Sequence, residues 1–233
     1  MRARVIPMVL VHGSGHTRAT FDAQVAAFEC DAVSLPGHPE GEALASVGDC
    51  AVWLAKYLRW KGVSQAIIGG NSLGGAIAIE FALRYPDATA GLVLLGTGAR
   101  LKVAPQIFQM IDERWPECID DLVGLSLATD APAPLRERIK SWHAEVGQRS
   151  TRQDYADCDA FDAMDRVASI RARTLVIVGS ADAMTPPKYA SFLQQRIAGS
   201  ELALIEGAGH LAHAEKPEAV NDRICAVFAD VLP

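Results

Sequence analysis

A chain of 233 residues, half of them hydrophobic, can bury one substantial core but not two independent enzyme domains of ordinary size. Its net charge of −6 is spread over interspersed acidic and basic residues, which argues against nucleic acid or an anionic membrane as a main partner. The five cysteines are widely spaced and form neither a Cys-x-x-Cys pair nor a Cys/His cluster, so free, mostly buried thiols are expected rather than a disulfide frame or a metal site.

The apolar run over residues 5–11 is too short to cross a membrane and lacks the small-residue cleavage site of a signal peptide, so it reads as a buried strand of a cytoplasmic protein. It runs into His12-Gly13-Ser14-Gly15-His16, a polar, glycine-rich loop at the carboxyl end of a strand, where ligands sit in open parallel sheets. Residues 20–28 read as a helix with Phe21, Val25 and Phe28 on one face. Residues 32–35 read as a short strand closed by Pro36-Gly37-His38-Pro39. The apolar spacing of Leu44, Val47, Ala51, Leu54, Ala55 and Leu58 predicts an amphipathic helix over 44–60 that packs on the sheet.

Next comes Ala66-Ile67-Ile68-Gly69, then Gly70-Asn71-Ser72-Leu73-Gly74, then a helix over 76–83 stopped by Tyr85-Pro86. This is strand, sharp turn, helix, with Gly-x-Ser-x-Gly in the turn. A serine there is forced into a strained backbone conformation that lifts its hydroxyl clear of the sheet, and the flanking glycines relieve the crowding. The following helix also aims its N-terminus at Ser72, which favours negative charge beside it. The same five residues could equally be a turn that merely joins a strand to a helix.

The run over 91–96 is apolar at every position, the mark of a strand buried on both faces. From about residue 100 to 166 the rhythm breaks into polar, helical segments with Trp115-Pro116, Pro132-Ala133-Pro134 and many charges. That region is expected to be a helical cap over the carboxyl edge of the sheet, or else a side subdomain without a catalytic role. Alternation resumes with a strand over 173–179, a helix over 188–197, a strand over 201–205 and a closing helix over 217–231. The last two strands, both expected inside the sheet, end in polar loops that deliver Asp182 and His210.

A serine hydroxyl is a weak nucleophile at neutral pH. It needs a base within hydrogen-bond reach, and the base needs a partner that fixes its tautomer. Ser72, Asp182 and His210 each follow a strand at its carboxyl end, so they converge on one edge of one sheet, in the chain order of hydrolases with a nucleophile elbow. Taken singly, Asp182 suits a turn or a cap before Pro186-Pro187, and His210 an ordinary loop histidine.

The chain resembles an α/β-hydrolase fold protein over essentially its whole length. The resemblance is carried by His12-Gly13, Leu35-Pro36-Gly37-His38, Gly70-Asn71-Ser72-Leu73-Gly74-Gly75, Gly179-x-x-Asp182 with Thr185-Pro186, and Gly209-His210 with Glu215-Lys216-Pro217. It implies that Ser72 is the nucleophile, His210 the general base and then acid, and Asp182 its orienting carboxylate. It also implies an oxyanion hole from the backbone N–H groups of Ser14 and Leu73. The sequence departs from the family in having no room for the usual antiparallel hairpin before the His-Gly strand, and in the polar Ser14 and His16, either of which could contact substrate.

The expected fold is therefore α/β: a mostly parallel sheet of about six strands with helices on both faces, an α/β-hydrolase fold lacking the N-terminal hairpin, plus a helical cap insertion. Residues 1–99 and 167–233 would form the core and 100–166 the cap, with a weakly protected edge strand near 31–35. The expected activity is hydrolysis of a small carboxylic ester or lactone through an acyl-enzyme. Hydrolysis of a carbon–carbon bond in a ring-cleavage product, cofactor-free perhydrolase or haloperoxidase chemistry, and a non-catalytic ligand receptor are the alternatives. Arg100, Trp142, His143, Met184 and Leu211 are the substrate-pocket candidates. No metal or organic cofactor is expected, and the partner is a small-molecule substrate acting on a monomer or homodimer, with no nucleic acid or membrane.

Overall fold

The computed structural model describes residues 6–232, so Val5 and the residues before it, which open the first apolar run, lie outside it. Six strands form one sheet: β1 (Met8–Val11), β2 (Asp31–Val33), β3 (Ala66–Asn71), β4 (Thr89–Leu95), β5 (Arg173–Gly179) and β6 (Glu201–Ile205). Their spatial order is β2-β1-β3-β4-β5-β6, and every neighbouring pair is parallel. The expected six-stranded parallel sheet is thus what forms. One expectation fails: β6 lies at an edge and not inside the sheet, and Leu202 and Leu204 on it are exposed.

Successive side chains of a strand point to opposite faces, so a sheet covered on both sides needs apolar residues at every position. In β1, Val9 and Val11 enter one core while Met8 and Leu10 enter the other. The first core packs α2 (Val47–Trp60), α3 (Leu73–Arg84) and α7 (Pro187–Arg196) on the sheet through Leu54, Ile77, Phe81 and Leu193. The second packs α1 (Asp22–Phe28) and the last helix through Phe28, Ile224 and Phe228. Fully burying a side chain such as Phe228 contributes about 1.5–3 kcal/mol, so each helix is held mainly by its apolar stripe.

Local chemistry sets the boundaries. The helix expected from residue 44 begins at Val47, because the Ser46 hydroxyl accepts the Asp49 N–H at 3.1 Å as its N-cap. The helix expected from residue 76 begins at Leu73, so only Ser72 separates it from β3. Between β4 and β5 run α4 (Pro105–Glu113), α5 (Ile119–Ser126) and α6 (Ala133–Ala160), the last bent at Gly147, whose φ of 83° is not helical. The two ends of this segment are stitched together by an antiparallel bridge between Arg100 and Asp162 and by the Ala163 N–H donating to the Ala99 carbonyl at 2.7 Å. A short helix, α8 (Ala212–Glu215), precedes α9 (Pro217–Phe228) and was not legible in the sequence. No helix among the described residues is long and apolar enough to cross a membrane. Cys30, Cys50, Cys118 and Cys158 are buried free thiols, and Cys225 is exposed.

Candidate active site

Ser72 occupies the single residue between β3 and α3 with φ 54° and ψ −113°. A non-glycine residue there carries strain of about 1–3 kcal/mol, which the surroundings must hold in place. They do so through its backbone: its N–H donates to Leu95 O at 3.0 Å, and its carbonyl accepts the Thr97 hydroxyl at 2.8 Å. The turn is too tight for side chains on either side, since a Cβ on Gly74 would overlap the Val11 carbonyl and one on Gly70 the backbone of Gly74. Leu73 and Gly74 open α3 directly after Ser72, so their N–H groups have no helical acceptor.

Asp182 lies in the loop after β5, nearly fully buried. Its Oδ1 accepts the N–H groups of Met184 and Thr185 at 2.9 and 2.8 Å, and its Oδ2 accepts the Thr185 hydroxyl at 2.8 Å. The same Oδ2 lies 2.9 Å from Nδ1 of His210. Burial alone would raise the Asp182 carboxyl, but the charge and hydrogen bond of His210 and the bonds from Thr185 outweigh it and hold the group below its ordinary value. An ionised carboxylate can only accept, so Nδ1 of His210 carries a proton, and in the neutral imidazole Nε2 is then the acceptor.

His210 is fixed through its backbone as well. Its N–H donates to Ser126 O, at the end of α5, at 2.9 Å, and its carbonyl accepts the Asn71 side-chain amide at 3.1 Å. Glu215 grips the same loop, taking the Gly209 N–H at 3.0 Å and the Ala128 N–H at 2.9 Å. Ser72 and His210 face one small polar chamber of about 10 Å³ together with Ser14, His16, Asn71, Ser126, Tyr155 and Met184. Among the described residues neither the Ser72 hydroxyl nor Nε2 of His210 has a hydrogen-bond partner. The N–H groups of Ser14 and Leu73 likewise have no protein acceptor among the described residues.

Ser72 also opens onto a second, larger cavity of about 230 Å³, lined mostly by apolar groups such as Leu101, Val103, Ile107 and Leu125, with Tyr155 and Met184 shared between the two spaces. Of the five expected pocket residues, Met184 is the one that lines these cavities. Arg100 pairs with Asp162 at 3.8 Å and faces a neighbouring cleft. Trp142 borders a separate cleft near Pro36. His143 is buried beneath Gly15, and Leu211 packs among Ile119, Val123 and Trp142. The reason is common to the last two: each is adjacent in sequence to a cavity-facing or site residue, but the chain turns it into packing between α5, α6 and the sheet edge.

His16 and Tyr155 are chamber residues of different legibility. His16 stood out as a polar departure in its loop, whereas nothing in the aperiodic segment around Tyr155 placed it at the site. His16 is 3% exposed with no hydrogen-bond partner at either ring nitrogen, and burial first, then the neighbouring His143, push it well below its ordinary value, so it is neutral. Among the described residues no group of His, Cys, Asp and Glu is clustered as a metal site would require. What the arrangement can do is move a proton from a hydroxyl to an imidazole held in one tautomer, beside unpaired N–H donors suited to an oxyanion.

Residues 8–223 match the family described as the alpha/beta hydrolase family. The chain is 30% identical over 229 residues to the pimeloyl-acyl-carrier-protein methyl ester esterase of Neisseria meningitidis serogroup B, covering 88% of this chain and 87% of that one. It is 26% identical over 177 residues to the 2-hydroxy-6-oxo-6-phenylhexa-2,4-dienoate hydrolase of Comamonas testosteroni, covering 69% and 61%. Among solved structures it is similar to a thermophilic esterase at a TM-score of 0.88 and 29% identity, over 99% of this chain and 93% of that one.

Proposed function

The chain belongs to the alpha/beta hydrolase family, and from that footing we propose that it hydrolyses a carboxylic ester through a Ser72–His210–Asp182 triad and an acyl-enzyme. The observation that carries the reading is the Asp182 carboxylate holding the Nδ1 proton of His210 at 2.9 Å while Nε2 and the Ser72 hydroxyl face one chamber. Ser72 Oγ adds to the ester carbonyl as its proton passes to Nε2. The oxyanion is held by the N–H groups of Ser14 and Leu73, and the alcohol leaves with the proton from His210. Water then repeats the sequence on the acyl-enzyme, releasing the acid and restoring Ser72.

The two spaces at Ser72 suggest which ester. The larger one suits an apolar chain of medium length, and the smaller is about the size of one water molecule, so one arm of the ester is small. A methyl ester of a medium-chain acid fits this division, in keeping with a relative named as a methyl ester esterase. The esterase reading is tested by comparing methyl and butyl esters of hexanoic acid with a ring-cleavage dienoate. Turnover of the methyl ester, lost by about 10³-fold or more in Ser72→Ala without loss of fold, supports it. Dienoate turnover in the absence of ester turnover would replace ester hydrolysis with carbon–carbon hydrolysis, and unchanged activity in Ser72→Ala would refute the nucleophile.

A further inference from the structure

Asp154 sits in α6, remote in sequence from the loop after β1, yet its Oδ2 accepts the Gly15 N–H at 2.8 Å. The same oxygen lies 2.9 Å from Nε2 of His38, and the two side chains are only 4% and 2% exposed. The other ring nitrogen of His38, Nδ1, lies 3.2 Å from the Pro36 carbonyl. A carbonyl and an ionised carboxylate both accept, so this geometry suits a His38 that donates from both ring nitrogens, as an imidazolium does. Burial works against that charge, but the hydrogen bond and charge of Asp154, then the Pro36 and Leu35 backbone, overcome it and raise His38 above its ordinary 6.5.

The neighbourhood leaves this pair as its own counter-charge. His12 lies against His38 at a ring distance of 4.6 Å and is neutral, pushed down to about 3 by burial and then by His38. Asp157, Tyr155 and Cys158 on α6, and Cys50 on α2, are further titratable groups near Asp154, and none is cationic. Among the described residues, His38 is the only cation within ion-pair distance of Asp154.

Gly15 follows directly on Ser14, whose N–H the proposed function uses. Gly15 has φ 69°, and a Cβ on it would strike His143, so α6 presses on this loop by packing as well as by the Asp154 bond. We propose that Asp154, with protonated His38 beside it, is a positioning residue that ties α6 to the 13–15 loop and holds the Ser14 N–H where the oxyanion forms. The role rests on the ester-hydrolase reading. It links the helical segment over the site to the reaction: if α6 withdraws, the hole loses a donor.

The test measures kcat and KM on methyl hexanoate, and Ki for a trifluoromethyl ketone whose hemiketal oxyanion would occupy the hole, for wild type, S72A, D154N, D154A and H38Q from pH 6 to 10. Asp154→Ala should lower kcat about 10²-fold, the scale of one oxyanion donor, with KM within about threefold, and should weaken the ketone in step with kcat. Asp154→Asn keeps an acceptor for Gly15 and should recover part of the loss. Wild-type kcat should decline as pH rises through the His38 value, whereas His38→Gln should show a lowered rate without that decline. If Asp154→Ala does not fold, Asp154→Asn and His38→Gln carry the test. Kcat and ketone affinity within twofold of wild type in Asp154→Asn and His38→Gln, with Ser72→Ala inactive, would overturn the positioning role alone. An active Ser72→Ala would overturn the reading beneath it.

Discussion

Asp182 does two jobs with its two oxygens, and they need not fail together. Oδ1 closes its own loop by accepting the Met184 and Thr185 N–H groups, and Oδ2 faces His210. Asp182→Asn preserves shape but removes the charge that stabilises protonated His210 and presents an amide that can donate to Nδ1, favouring the wrong tautomer. For the proposed ester hydrolysis, kcat should fall by about 10²–10⁴-fold with KM little changed, as stopped-assay kinetics would show. Gly74 is a different case, since its role is steric. Gly74→Ala pushes a methyl into the Val11 carbonyl, so α3 must shift away from β1 and carry Ser72 with it. Both stability and labelling by a fluorophosphonate probe should drop, and a variant that labels and melts like wild type would show that the turn has slack.

Between elements, polar ties supplement the apolar packing. Glu80 on α3 receives Arg84 at 2.6 Å and Arg166, in the return from the helical segment, at 3.0 Å. Burial opposes its charge, but the bonds from Arg84 and Arg166 hold it below the ordinary carboxylate value. Both arginines are about half exposed, so solvent screening reduces the worth of the pairs well below that of a buried bridge. Glu80→Ala should cost roughly 1 kcal/mol, seen as a modest fall in the melting temperature, and should leave kcat on the methyl ester within twofold. The loop of His210 is joined more tightly, through Ser126 O at the end of α5 and through Glu215, which also holds Ala128 just beyond α5. Movement of α5 therefore moves His210.

For the whole molecule, the histidines dominate the response to acid. Burial pushes His12 and His213 down to about 3 and His143 to about 4, with His16 also well below its ordinary value. Each binds a proton below 6.5 in the unfolded chain but not in the native one, so native stability is full above that pH and falls as the solution is acidified. Asp157, raised to about 6 by burial and then by its acidic neighbours against the Gln153 bond, and Glu215, also raised by burial, act in the opposite direction. The balance between pH 6 and 4.5 should be an uptake of roughly two to three protons on unfolding, checked by the pH dependence of stability in urea melts. A flat profile over that window would mean that the histidines are hydrated in the native state.

The inner strands were legible because a covered parallel sheet requires unbroken apolar runs, and β5 falls on the residues that the pattern named. Ser72, Asp182 and His210 were legible for a related reason: parallel strands place all their carboxyl ends on one edge, so position after a strand is already position in space. The pocket was not. Which side chains of residues 100–166 reach Ser72 depends on how α4, α5 and α6 cross one another, and no local spacing records that. So Tyr155 arrives at the chamber unannounced, while Arg100, Trp142, His143 and Leu211 are turned into ion pairs or packing. Residue order by itself determined the sheet, the elbow and the edge at which Ser72, Asp182 and His210 lie. Only tertiary packing decided the cavities and the Asp154–His38 tie, because both depend on contacts between segments more than a hundred residues apart.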